Sequence, residues 1–121
     1  MIAVSSFRPL DDNKEVAQNQ VLAIDSWRAV FHNIFLIGPF EWRLACPRTT
    51  FVEGPDLPPL SLLYLLASQS DEPAAILNAD IVVGRHLVEA ADKAFKMGAY
   101  ALTSRRYEYD AEIKDFGAAK V

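Results

Sequence analysis

Asn78 and Asp80, two positions apart in the run Ala74-Ala75-Ile76-Leu77-Asn78-Ala79-Asp80-Ile81-Val82-Val83, have the types and spacing best suited to chemistry in this chain. Aliphatic and β-branched residues flank the triplet, which predicts a buried strand carrying polar groups at or near its carboxyl end. Side chains at i and i+2 of a strand share a face, so the amide and the carboxylate would reach one ligand or one metal ion. Two readings of Asp80 stay open. Aspartate readily caps a helix or bonds neighbouring backbone amides. Alternatively, because Ile81-Val82-Val83 continue the apolar run, it is a charge whose burial is costly unless a ligand pairs it.

Three further groups are candidates. Ser5-Ser6-Phe7-Arg8-Pro9 follows the apolar start Met1-Ile2-Ala3-Val4 and offers hydroxyls, a guanidinium and free amides to a phosphate or a nucleotide, although it lacks the glycines of a phosphate-cradling loop. Glu41 is the first acidic group after Asn33-Ile34-Phe35-Leu36-Ile37-Gly38-Pro39; it is either a ligand contact or a solvated loop charge. Arg105 and Arg106 either stabilise an anionic leaving group or pair with Glu108 and Asp110 in a solvated loop.

Periodicity sets the strands and helices that carry these residues. Met1–Val4 predicts a buried strand, and Pro9 disfavours helix at Arg8. Asp12 or Asn13 caps a long amphipathic helix from Lys14 to about Phe31, with Val16, Gln20, Ala23, Trp27 and Val30 on its inner stripe and Val21 and Ile24 widening it. A second strand covers Asn33–Ile37, and a third, nearer an edge, covers Thr49–Glu53. Leu60 to Ser68 reads as a helix apolar almost all round, well buried and suited to a partner chain as well. The strand of Asn78 and Asp80 comes next. Leu87, Ala90, Ala91, Ala94 and Phe95 then predict a helix closed near Gly98, and Ala99–Thr103 a last strand. This alternation predicts a single α/β domain over 1–121, a Rossmann-like three-layer sandwich whose mainly parallel sheet has helices on both faces. Ligands of such sheets sit outside the carboxyl ends of the strands, at the switch point in strand order. That rule gathers residues 5–8, 38–41, 78–80 and 104–106 on one rim.

Composition narrows the function classes. With 121 residues, 51% hydrophobic and 23% charged, the chain fits one globular core. A net charge of -4 gives no reason to expect nucleic acid or an anionic membrane. Cys46, the single cysteine, cannot form an intrachain disulfide, and the longest apolar run, Leu60 to Ala67, is too short for a membrane span. No basic start followed by an apolar run marks a signal peptide, so a soluble, cytoplasmic setting is expected. The dinucleotide fingerprint and the lysine-bearing phosphate loop are both absent. A phosphoacceptor receiver fits poorly, because Asp11-Asp12 come too late and Tyr100–Ser104 contains no lysine.

The Ser5-Ser6-Phe7-Arg8-Pro9 loop, the helix with Asn19-Gln20 and Ser26-Trp27, and the Asn78-Ala79-Asp80 triplet together resemble the nucleotide-sugar-binding half of glycosyltransferases with the GT-A fold. The resemblance spans nearly the whole chain and rests on element order plus one triplet. It implies that Ser5, Ser6, Phe7 and Arg8 lie against the nucleotide, that Glu41 meets the base, that Asn78 takes the ribose-facing place, and that Asp80 holds a divalent cation, Mn²⁺ or Mg²⁺, bridging the diphosphate. Arg105 or Arg106 would stabilise the departing nucleotide. The implied partner is a nucleotide-diphospho-sugar. Two departures stand out: Asn78 replaces a common Asp, which weakens a site for hard cations, and the acceptor-binding half that supplies a catalytic base has no counterpart, so no base is assigned. The alternative is a non-catalytic α/β module acting through a homo-oligomer interface, with the Leu60–Leu66 helix as its contact.

Overall fold

Polar punctuation and alternating burial set the elements. The computed structural model describes residues 1–8 and 13–99. Strand β1, Ile2–Ser6, is buried along nearly its whole length. Helix α1, Lys14–Arg28, starts where Asn13 Oδ1 accepts the amide protons of Glu15 and Val16, which satisfies two of the free donors of a first turn. Strand β2 spans Asn33–Gly38, a 3-10 turn Phe40–Trp42, and strand β3 Thr50–Glu53. Helix α2, Leu60–Ser68, strand β4, Ala74–Ile76, and helix α3, Arg85–Lys96, complete the described order. After α3, Gly98 takes a φ of +96°, open to glycine without a Cβ penalty.

The four strands are parallel in the order β3-β2-β1-β4. Ile2 to Ser6 run beside Asn33 to Ile37, and Ile2 to Val4 beside Ala74 to Ile76. Successive side chains feed opposite faces. Ala3, Ile34 and Leu36 pack with Ala23, Ile24, Trp27 and Phe31 of the α1 side, where Leu87 and Val88 of α3 join them. Ile2, Val4 and Ile37 pack with Leu63 and Leu66 of α2 on the other face. Helices thus cover both faces of a parallel sheet, and the α/β Rossmann-like architecture is the one the alternation predicts.

Two expectations need correction. The run 74–83 is not one long strand: β4 ends at Ile76 and forms an edge of the described sheet. Beyond it Ile81, Val82 and Val83 are packed against the α1-side core as irregular backbone, so their apolarity reports burial and not pairing. Helix α2 is not well buried either. Leu63 is its one buried residue, while Leu60, Tyr64 and Leu65 are each more than half exposed. Of the expected last strand, Ala99 bonds back to Ala94 O, and residues 100–103 lie outside the described residues.

Candidate functional site

The strand order reverses between β1 and β4. From β1 the chain builds outward through α1 and β2 to β3, then returns through α2 on the opposite face to the other flank of β1. A crevice at the carboxyl ends of β1 and β4 is where such sheets take ligands. Ser5 ties these two strand ends together. Its buried hydroxyl lies 2.5 Å from Leu77 O and 2.9 Å from Ser6 O, and its one proton serves the closer acceptor. Leu77 N donates to Val4 O at 3.2 Å, which carries the ladder one step past β4. Ser6, half-buried, ends β1.

Phe7 turns inward. It is buried and meets Trp42 edge to face, with ring centroids 5.9 Å apart. Trp42 also lies over Gly38, where a Cβ would come within 2.7 Å of Cε3. The carboxyl end of β2 is therefore roofed by an aromatic pair, and Glu41 is exposed on the same 3-10 turn. Arg8 is exposed, yet its peptide is held. Arg8 N donates to Gln20 Oε1 at 2.6 Å, and Gln20 Nε2 donates to Arg8 O at 2.9 Å. Gln20 was visible in the sequence only as a polar residue on an apolar stripe.

On the β4 side, Ile81 N donates to Asn78 O at 3.2 Å, so Asn78-Ala79-Asp80-Ile81 is a tight turn with asparagine at its favoured first position. Asn78 and Asp80 are both exposed. They stand on a turn rather than on a strand face, so the i, i+2 geometry of a strand does not relate them. Helix α1 anchors the segment beyond the turn: the Trp27 indole donates to Ile81 O at 2.7 Å, and Val83 N donates to Ser26 Oγ at 3.0 Å. Ser26, buried and polar, carried no signal beyond its place beside Trp27 in the sequence. Arg105 and Arg106 lie outside the described residues.

The loop of Ser6 and Arg8 and the turn of Asn78 and Asp80 thus follow the carboxyl ends of the neighbouring strands β1 and β4, and Glu41 stands on the turn after β2, on the other side of β1. Among the described residues no group of three or more His, Cys, Asp or Glu side chains is gathered for a metal. One carboxylate and one amide on the turn suit a Mg²⁺-like ion only if phosphate oxygens and water complete its shell. A groove of about 350 Å³ opens at the opposite rim, lined by Ile2, His32, Asn33, Phe35 and Glu72 among others. It lies at the amino ends of the strands, and its carboxylate is already paired with the Met1 amine at 2.5 Å and His32 Nε2 at 2.9 Å. The switch point is the better site, because among the described residues no ion pair engages its exposed charged side chains. No family model, curated protein or solved structure matches this chain. Among the described residues, no helix is long and apolar enough to cross a membrane.

Proposed function

We propose that this chain is a glycosyltransferase-like domain of the GT-A kind that binds a nucleotide-diphospho-sugar and transfers the sugar with a divalent cation. One observation supports the reading: the strand-order reversal falls between β1 and β4, and the Arg8 loop and the Asp80 turn follow the carboxyl ends of those two neighbouring strands. In this reading Ser6 and Arg8 lie against the nucleotide, Glu41 reaches the base, Asn78 meets the ribose, and Asp80 holds Mn²⁺ or Mg²⁺. Ser5 and Phe7 serve from beneath, since one clasps Leu77 and the other is buried against Trp42. Arg105 and Arg106 remain assigned to the leaving nucleotide. The cation supplies positive charge where the diphosphate departs.

Thermal unfolding with a panel of uridine- and guanosine-diphosphate sugars plus Mn²⁺ tests this. A ligand at 100 times its Kd adds about 2.7 kcal/mol, or a rise in Tm of several degrees. Asp80→Ala is expected to abolish the Mn²⁺-dependent part of that rise. No shift with any member of the panel would count decisively against the reading.

The exposed apolar face of α2 favours a second reading, the non-catalytic α/β module whose function is assembly with another copy of itself. There Asp80 is a turn residue only.

A further inference from the structure

We propose that Gln20 is a positioning residue that fixes Arg8 to receive the diphosphate of the ligand, an inference that rests on the nucleotide-binding reading above. Past Ser6 the backbone has left β1, and the Arg8 peptide has no strand beside it in the described sheet. Gln20 supplies the missing neighbour. Its amide carries a donor and an acceptor side by side, as a strand's backbone does, and both are used on one residue: Oε1 takes the Arg8 N–H at 2.6 Å and Nε2 gives to Arg8 O at 2.9 Å. A further contact from Nε2 to Val16 O, at 3.4 Å, ties the same amide to its own helix.

The placement is costly unless it does something. Gln20 is buried on the stripe of α1 that also carries Ala23, Ile24 and Trp27, where an apolar side chain would join the core without needing a partner. What the amide secures is the backbone on both sides of one residue, that of the exposed guanidinium at the switch point. Arginine offers a planar fork of donors that matches phosphate oxygens, and a fork binds well only when its root is fixed. Asp80, on the turn that follows the neighbouring strand β4, offers an exposed carboxylate suited to a cation, so the ends of two adjacent strands carry the two charges that a metal-bound diphosphate needs.

Calorimetric titration of the full chain with uridine diphosphate and guanosine diphosphate, in Mn²⁺, tests the inference against uridine and guanosine, which lack phosphate. Gln20→Met keeps length and apolar packing while removing both bonds, and circular dichroism establishes that it folds; Gln20→Glu, which keeps only the acceptor, is the second variant should Met fail to fold. Either variant is expected to weaken the diphosphate by about tenfold while nucleoside affinity changes less than about twofold. In an Arg8→Ala background, the Gln20 substitution is expected to cost nothing further, because it acts through Arg8. Equal losses for diphosphate and nucleoside, or a loss that persists without Arg8, would assign Gln20 to general structure and overturn the inference. Wild-type binding that both variants leave intact removes the inference alone; wild-type protein that binds neither diphosphate removes the nucleotide-binding reading with it.

Discussion

Cys46 shows how a residue's surroundings decide its chemistry. Burial pushes its thiol up from the ordinary 9.0; the nearby Arg28 guanidinium pulls it back and the Asp25 carboxylate pushes it up again. Arg28 Nη2 lies 3.3 Å from the sulfur and donates to Pro47 O at 2.7 Å, so the same arginine that pairs with Asp25 also ties the β2–β3 connection to α1. A raised folded value means that the native state holds the thiol proton more tightly than the unfolded chain. That contribution to stability is fully present below the ordinary value of 9.0 and is lost as pH rises through the folded one. The urea midpoint is therefore expected to fall on going to strongly alkaline pH, with a smaller fall in Cys46→Ala. Iodoacetamide at about pH 8 should label the native thiol more slowly than the urea-unfolded one. Equal labelling rates would contradict the burial.

At the scale of elements, α1 does more than cover the sheet. Its polar residues Gln20, Ser26 and the Trp27 indole each hold a segment that the strands have released: the Arg8 peptide, the Val83 amide and the Ile81 carbonyl. Trp27→Phe keeps an aromatic ring in the core and removes the donor to Ile81 O. The expected loss is about 1–3 kcal/mol in urea unfolding, the cost of an abandoned acceptor, with faster hydrogen exchange at Val83. An unchanged stability would mean that packing and the Val83 bond to Ser26 hold the segment 81–83 without the indole. The spacing of Val16, Ala23 and Trp27 made α1 legible, and Asn13 marked its start. The length of β4 was not legible, because a β-branched run reads alike whether it lies in a sheet or under a helix. The turn bond from Ile81 to Asn78, with the Trp27 donor and the Ser26 acceptor of α1 beyond it, decided against the sheet.

For the molecule as a whole, α2 carries an uncovered apolar face among the described residues. Leu60, Tyr64 and Leu65 are exposed on a helix with no charged residue, and Leu57 is exposed just before it. Two copies meeting there would bring no like charges of this helix together. The assembly reading expects light scattering to give the mass of two chains, and Leu65→Glu, which places a charge in the contact, to return the mass of one. A single-chain mass for the unaltered protein would remove that reading. Burial of α2 was misread from sequence because composition tells how apolar a helix is and not how many faces its neighbours reach.

Hydrophobic spacing alone determined the order of the strands and helices described up to α3, the two-sided burial of β1 and β2, and hence the α/β class. It also put Ser6, Arg8, Asn78 and Asp80 at the ends of strands. Tertiary structure decided which strand lies beside which, that Asn78 and Asp80 share a turn, and that Ser5 bonds Leu77, Phe7 packs on Trp42 and Gln20 bonds the Arg8 backbone. The division has a physical cause. Local period is written in neighbouring residues, whereas the partner that satisfies a buried hydroxyl or amide comes from a segment distant in the chain, as Leu77 does for Ser5 and Ile81 for Trp27.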